Sequence, residues 1–319
     1  MIKVGTTFSG IGSPEQALKN LGIKHVVKWA CDIDKNAKKT YLANHSCENW
    51  YDDITKIIHQ DLEDIDLYVY GFPCTSISNA GGRKMEKGAS GLVEYSLNIL
   101  DEKLPKYFLF ENVAALLQKN SKQFFDYIVE RLTKNYNITY QVLNSKNFGV
   151  PQNRERIYCI GIRKDIAQTF EFPVGNQNIP KLKDFLDEKV DEKYYLSKEK
   201  QDTFTPSTRN FESDKVFVGG LRYGKLREDR KVGHMTNYGQ LKQVFSIDGI
   251  TPTICTWKDV GKFLMGDGRI RILTPNERRK LQGFPDGFIL PVSENEQCRQ
   301  FGNTITVNVL QEIFKQLLK

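Results

Sequence analysis

Four side chains carry the chemistry this chain can be expected to perform: one cysteine, one glutamate and two arginines. Cys74 follows the apolar run Leu-Tyr-Val-Tyr at 67–70 and the turn Gly71-Phe72-Pro73. The run reads as a buried strand, and glycine with proline marks its end. In an open parallel α/β sheet the ligand crevice lies beyond the carboxyl ends of the strands. A thiol presented there, ahead of the polar, glycine-bearing stretch that begins Thr75-Ser76, is a candidate nucleophile. The competing reading is a small buried hydrophobe, the ordinary use of a free cysteine. Glu111 closes a second apolar run, Tyr107 to Phe110, and so reaches the same edge of the sheet. It can act as an acid there, or merely serve a helix N-terminus. Arg154 and Arg156 stand two apart in a turn between strand candidates at 138–143 and 157–162. That spacing puts both on one face of an extended chain. Two arginines so placed can grip a carboxylate or a phosphate, or form a plain surface pair.

The elements that must position these groups begin at the N-terminus. Lys3 to Phe8 reads as a strand, Gly10 and Gly12 as a tight turn, and Ser13-Pro14-Glu15-Gln16 as a helix start with Ser13 as N-cap and Gln16 completing a capping box. A second strand follows at 26–30, and Asp32 stands at its end. Strand, glycine turn, helix, strand and acid form a nucleotide-binding pattern in which the acid hydrogen-bonds ribose hydroxyls. The third glycine of the dinucleotide fingerprint is replaced by Glu15, whose charge in the first helical turn would repel a pyrophosphate. An adenosine ligand without a phosphate chain suits this site better; an ordinary βαβ turn with solvated acids is the bland alternative. Helices are expected at 92–100 and 124–132, and an amphipathic surface helix on Leu182, Phe185, Leu186 and Val190. Arg271 to Glu277 reads as a strand end entering a capped helix that stops at Gly283.

The 319 residues, 39% hydrophobic, can bury a large core and suggest two domains. No apolar run approaches the about 20 residues that cross a bilayer. The N-terminus enters a strand pattern directly, without signal-peptide anatomy. The six scattered cysteines contain no CxxC pair, which argues against a disulfide framework or a zinc site and for a reducing cytoplasm. The net charge is +7, and residues 215–245 carry seven basic residues against two acidic ones, with Phe217, Tyr223, Tyr238 and Phe245 interleaved. Basic, loop-rich and aromatic sequence fits a nucleic-acid surface or a solvated basic face.

Taken in order, these pieces resemble one family, the DNA cytosine-5 methyltransferases that use S-adenosylmethionine. Phe8-Ser-Gly-Ile-Gly12 is similar to its first motif. Asp32 and Asp53 match the next two, Gly71-Phe-Pro-Cys74 the catalytic motif, and Glu111-Asn-Val113 the ENV motif. Gln152-Asn-Arg154-Glu-Arg156 matches QxRxR, Arg271 to Pro285 the ninth motif, and Gly302-Asn-Thr304 the last. The chain departs from the family's common residues at Thr75 and Ile77, often Gln and Phe, and at Ile33, often aromatic.

The resemblance implies an α/β fold: a Rossmann-like S-adenosylmethionine-dependent methyltransferase domain formed by 1–177 and 299–319, a smaller target-recognition domain at 178–266, and a hinge with the ninth motif at 267–298. It implies Cys74 as the nucleophile that adds to C6 of a flipped-out cytosine, Glu111 as the acid at ring N3, and Arg154 and Arg156 as groups that hold the base. Cofactor contacts are implied for Phe8, Gly10, Gly12, Asp32, Ile33, Asp53, Ile54, Pro73, Asn303 and Thr304, with S-adenosylhomocysteine as product and no metal. DNA contacts are expected from Ser76, Arg222, Lys225, Arg227, Arg230 and Lys231. The implied partner is double-stranded DNA, with a separate cognate restriction endonuclease as a further partner. The implied protein is a bacterial or phage-type monomer, cytoplasmic and nucleoid-associated. A tRNA cytosine-5 methyltransferase of the same fold, a catalytically silent DNA-binding regulator and a nicotinamide oxidoreductase are the alternatives. Intact Cys74 and Glu111 speak against the regulator, and Glu15 against the oxidoreductase.

Overall fold

The chain enters its main sheet at the centre. β1 (Ile2–Thr7) lies between β2 (His25–Cys31) and β4 (Leu67–Tyr70), parallel to both. These features come from a computed structural model that describes residues 1–73, 89–207, 214–222 and 240–319. From β1 the chain runs outward to β2 and β3 (Asn49–Tyr51), then crosses back to β4 and β5 (Tyr107–Val113). β6 (Tyr136–Asn144) and β7 (Glu155–Arg163) are antiparallel and complete the order β3-β2-β1-β4-β5-β7-β6. The reversal between β1 and β4 is the switch point at which open α/β sheets bind ligands. All four residues of β4 are buried, as a strand covered on both faces requires. Its alternation sends Leu67 and Val69 into one core and Tyr68, Tyr70 and Phe72 into the other.

Helices cover both faces: α1 (Ser13–Asn20), α2 (Lys35–Asn44), α3 (Val93–Lys103) and α4 (Lys122–Leu132). The α1 start differs from the sequence expectation. Gly12, in the left-handed region at φ 85°, is the N-cap, and no side chain caps the helix. The Ser13 hydroxyl instead shares a 2.6 Å hydrogen bond with Thr304. Glu15 is not solvated either. Its Oε1 accepts from Tyr41 (2.8 Å) and Thr6 (3.1 Å) in a fully buried position, where burial pushes its pKa up. Repulsion of a phosphate by a free charge at this helix end is therefore not what the structure provides.

A second sheet, ordered β12-β11-β10-β9-β8, is built from β8 (Phe204–Pro206), β9 (Phe217–Leu221), β10 (Gln243–Ser246), β11 (Lys262–Leu264) and β12 (Ile270–Ile272). The single-turn α5 (Lys198–Gln201) precedes it. β12 pairs with β11 through Lys262 and Ile272, so the sheet runs past the boundary expected at 266. The surface helix expected at 182–190 is a short 3-10 turn, Leu182–Phe185. The amides of Leu182 and Lys183 donate to Gly249 and Ile247, which pins this turn to the chain just after β10.

After β12, α6 (Pro275–Leu281) begins with Thr274 as N-cap and Glu277 completing the capping box, as the sequence suggests. α7 (Glu294–Asn303) and α8 (Val307–Leu317) return to the main sheet. The apolar residues Val307, Leu310, Phe314 and Leu317 recur at helical spacing and join the core that contains Ala17 and Leu18 of α1. The C-terminal helix thus closes the layer beside the first helix. Phe314→Ala should cost about 3–5 kcal/mol, the range for truncating a buried phenylalanine. Urea unfolding should register it as a lower midpoint with an unchanged slope.

Candidate active site

Strand pairing brings the sequence-distant groups together. Glu111 lies near the end of β5, opposite Tyr158 of β7, and Arg156 lies opposite Val113. The Arg156 Nε is 3.1 Å from Glu111 Oε1, an ion pair by distance. That oxygen nevertheless accepts no aligned hydrogen bond. Burial raises the Glu111 pKa, against the opposing pull of Arg156 and Arg154. The carboxyl also sits over the turn that leads to Cys74: a Cβ on Gly71 would lie 3.7 Å from Glu111 Oε2 and 3.5 Å from its backbone oxygen. The neighbouring Asn112 donates from Nδ2 to the Phe72 carbonyl at 3.0 Å. β5 therefore holds the Gly71-Phe72-Pro73 turn directly beneath the acid.

The two arginines part company. Arg156 is paired with Glu111, while Arg154, 3% exposed, directs its hydrogen bonds elsewhere. Its guanidinium donates to the carbonyls of Ile254 (3.0 Å), Gly302 (3.3 Å) and Thr304 (2.8 Å). Burial, with Arg156 beside it, pushes its pKa down to about 10, so it remains a cation at neutral pH. The expectation that Arg154 holds a substrate base is corrected here, because both terminal nitrogens are occupied by backbone.

A narrow cleft at the β1/β4 switch point is lined by Phe8, Ser9 and Gly10 on one side and Tyr70 and Gly71 on another. Asn303, Thr304 and Ile305 close it. Phe8 has φ 54°, a left-handed conformation that is unusual for a bulky residue and is kept mainly where function demands it. Gly12 supports the turn from behind: a Cβ there would meet the His45 ring at 2.3 Å. Asp32 accepts from the Gly10 amide (2.8 Å) and the Asp34 amide (2.8 Å), which fixes the turn against the end of β2. Ile33, next to it, is 76% exposed. Asp53 caps Thr55, and Ile54 is buried beneath. Of the expected cofactor residues, Phe8, Gly10, Asn303 and Thr304 line the cleft. Gly12, Asp32, Ile33, Asp53, Ile54 and Pro73 lie around it without lining it. A larger cavity of about 580 Å³ reaches the amino end of β2, near His25 and His45. Ligands of parallel sheets bind at the carboxyl ends, so the smaller cleft is the candidate.

A model of the family described as C-5 cytosine-specific DNA methylase matches residues 2–319. The chain belongs to this family. It is thus a DNA cytosine methyltransferase, and membership implies S-adenosylmethionine as methyl donor. It is 33% identical to the type II methyltransferase M.Bsp6I of a Bacillus strain, over 100% of this chain and 99% of that one. It is 35% identical to the orphan methyltransferase M.Rho11sI of Bacillus phage rho11s, over 82% of this chain but only 58% of that relative's length. Among solved structures, Dnmt2 of S. pombe superposes with a TM-score of 0.74 at 21% identity, covering 100% of this chain and 98% of that one. A prophage-encoded DNA modification methyltransferase structure from E. coli gives 0.73 at 19%. At those identities the likeness is one of fold. No helix among the described residues is long and apolar enough to cross a membrane.

The methyltransferase cleft fits its cofactor in kind. Its walls combine glycine and small hydroxyl or amide groups with the aromatic Phe8 and Tyr70 and the apolar Val69 and Ile305, and Asp32 and the exposed Ile33 stand beside them. Cys74, Ser76, Lys225, Arg227, Arg230 and Lys231 lie outside the described residues. Arg222, just after β9, is exposed. Sequence reasoning did not assign roles to Asn112, which ties β5 to the Gly71 turn, or to Gln152. The Gln152 side chain donates to the Leu281 carbonyl (2.9 Å) and accepts from the Ile254 amide (3.0 Å). Both sit inside motifs that were noticed for other residues. Replacing Arg154 with Met should leave three carbonyls unpaired, at about 1–3 kcal/mol each. Arg154→Lys keeps the charge without the fork and should fall between Met and wild type. Equilibrium unfolding of the three proteins checks that order.

Proposed function

We propose that this enzyme methylates C5 of a cytosine extruded from a specific duplex DNA sequence, through a transient covalent bond between Cys74 and C6. The observation that carries the reading is the buried Glu111 carboxyl, its pKa raised, set between Arg156 and the turn that leads to Cys74. Cytosine C5 is a poor nucleophile. Addition of the Cys74 thiolate to C6 breaks the ring's conjugation and makes C5 electron-rich. Charge then develops at N3, and a protonated Glu111 can neutralise it. Arg156, whose Nε faces that carboxyl while Nη1 donates to the Glu155 carbonyl at 2.7 Å, is the guanidinium whose remaining N–H groups can reach the base carbonyl. Arg154 acts behind it as a support. Once C5 carries the methyl group, water takes the C5 proton, the C6–S bond breaks to release Cys74 as thiolate, and the N3 proton returns to Glu111. S-adenosylmethionine supplies an electrophilic methyl group when bound. Phe8, Gly10, Asn303 and Thr304 would hold it, with Asp32 toward its ribose. The target base is inaccessible inside a duplex and must be flipped out.

The basic, aromatic segment 215–245 supports contacts to phosphate and base edges by the second sheet, with Arg222, Lys225, Arg227, Arg230 and Lys231 as candidates. The enzyme acts as a monomer in the cytoplasm, on its own or beside a nuclease of the same specificity.

Incubation with S-adenosylmethionine and unmethylated plasmid, followed by base-resolution mapping of 5-methylcytosine, should give one recurrent sequence. No modification of any cytosine would refute the assignment. Glu111→Gln should cut turnover by at least ~100-fold, the usual scale of a lost general acid. Because burial raises the Glu111 pKa, the active protonated form persists to higher pH than for a free carboxyl and is lost as pH climbs through the raised value. Wild-type turnover should therefore show an alkaline limb from this group, absent from Glu111→Gln. Cys74→Ser should abolish methyl transfer while retaining DNA binding, since an alkoxide is far harder to form than a thiolate. Substantial turnover by that variant would remove Cys74 from the mechanism.

A further inference from the structure

Trp257 is 72% exposed, although its surroundings are among the most firmly held in the molecule. Arg278, itself buried, donates to the carbonyls of Cys255 (3.1 Å), Trp257 (3.3 Å) and Lys258 (2.7 Å). The Lys262 ammonium, also buried, donates to the Asp259 carbonyl at 2.6 Å. On the other side the backbone packs directly on Gly302, where a Cβ would lie 2.3 Å from the Cys255 carbonyl carbon. Two buried cations and a glycine contact thus immobilise residues 255–259, yet the indole in their midst is left to solvent. A large aromatic side chain on a rigid backbone offers contact area at little cost in conformational entropy. Among the described residues, no side-chain hydrogen bond or ring contact engages it.

Its position says what could. Three residues earlier, the Ile254 carbonyl accepts from Arg154, and the Thr253 hydroxyl donates to the Asn153 carbonyl at 2.6 Å. Three residues span at most about 10 Å of chain, so the Trp257 backbone lies within that distance of Ile254, which the Arg154 and Gln152 side chains hold. Thr253, Cys255 and Val260 also border an open cavity of about 470 Å³ between Asn153, within the QxRxR segment, and Phe245 of the second sheet. Trp257 and the exposed Lys258 thus belong to the loop between β10 and β11 that borders this cavity through Thr253, Cys255 and Val260. Solvent-facing aromatics next to cations are the surfaces on which nucleic-acid bases stack. Extruding a base from a duplex leaves its partner and neighbours with uncovered faces.

We propose that Trp257 is a stacking platform for a base or sugar of the substrate DNA beside the flipped cytosine, and so a residue that positions that DNA. The proposal rests on the DNA-cytosine reading given above. Trp29, fully buried in β2, and Trp50, partly buried in β3, belong to the far side of the main sheet, so DNA-dependent indole signals should come from Trp257.

The test uses the full-length protein and a fluorescein-labelled duplex fragment that the wild type methylates. Trp257→Ala should weaken DNA binding by roughly 5-fold to 100-fold, the scale of one lost stacking contact. Trp257→Phe should retain most of the affinity. S-adenosylmethionine affinity by calorimetry should stay within about twofold of wild type in both, as expected of an exposed side chain. DNA should quench the intrinsic tryptophan fluorescence of wild type and not that of Trp257→Phe. If Trp257→Ala binds the fragment as tightly as wild type and the quench survives in Trp257→Phe, the platform assignment is wrong while the DNA reading stands. If the wild type binds no duplex at all, both fall together.

Discussion

A cation with no access to water sets the terms for this enzyme's active site. Removing a guanidinium from solvent costs several kcal/mol even after relaxation. Arg154 offsets that cost with carbonyls from residues 100, 148 and 150 positions further along the chain. One side chain thereby joins the base of β7, the loop between β10 and β11 of the second sheet and the segment that closes the cofactor cleft. The same charge faces Glu111 through a medium with little screening, where it works against the upward push of burial on that carboxyl. One atom group thus serves the scaffold and, after burial and Arg156, also bears on the strength of the acid.

The neighbouring arginine shows why spacing alone misleads about role. Arg154 and Arg156 begin on one face of an extended segment, but only Arg156 lies within β7, opposite Val113. Arg154 precedes the strand, where the returning chain supplies acceptors at Gly302 and Thr304. The division leaves one guanidinium for structure and one beside the carboxyl. A similar split occurs among the glycines at the cofactor turn. Gly10 donates its amide to Asp32, whereas Gly12 makes room for His45.

Much of the architecture was legible because local pattern and tertiary position agree. β4 and β5 are short, wholly apolar and end at polar motifs, as central parallel strands should. The capping box of α6 lies in consecutive residues, and sequence alone locates it. The misreadings share a cause, which is that a distant segment supplied the deciding partner. Ser13 looks like a cap until Thr304 takes its hydroxyl. Glu15 looks solvated until Tyr41 closes over it. The apolar spacing at 182–190 suggests a helix, yet Gly249 and Ile247 pin a short turn there. Nothing in the sequence around Trp257 distinguishes it from a core tryptophan, because its exposure results from Arg278 holding the backbone beneath it.

The buried pair between Arg271 and Glu277 bears on how members of such a family could exchange specificity. Arg271 lies in β12, and its two terminal nitrogens meet the Glu277 carboxylate at 2.8 and 2.6 Å, both side chains wholly inside the protein. Glu277 also accepts from the Thr274 amide and from the Asp187 amide. The last strand of the second sheet is therefore latched to the first turn of α6 and to the chain that enters the sheet. A recombination joint between β11 and β12 would separate strand partners, and one between Arg271 and Glu277 would leave the latch to two parents. A joint beyond α6 would keep latch and sheet in one parent, so the natural unit of inheritance is longer than the stretch that touches DNA.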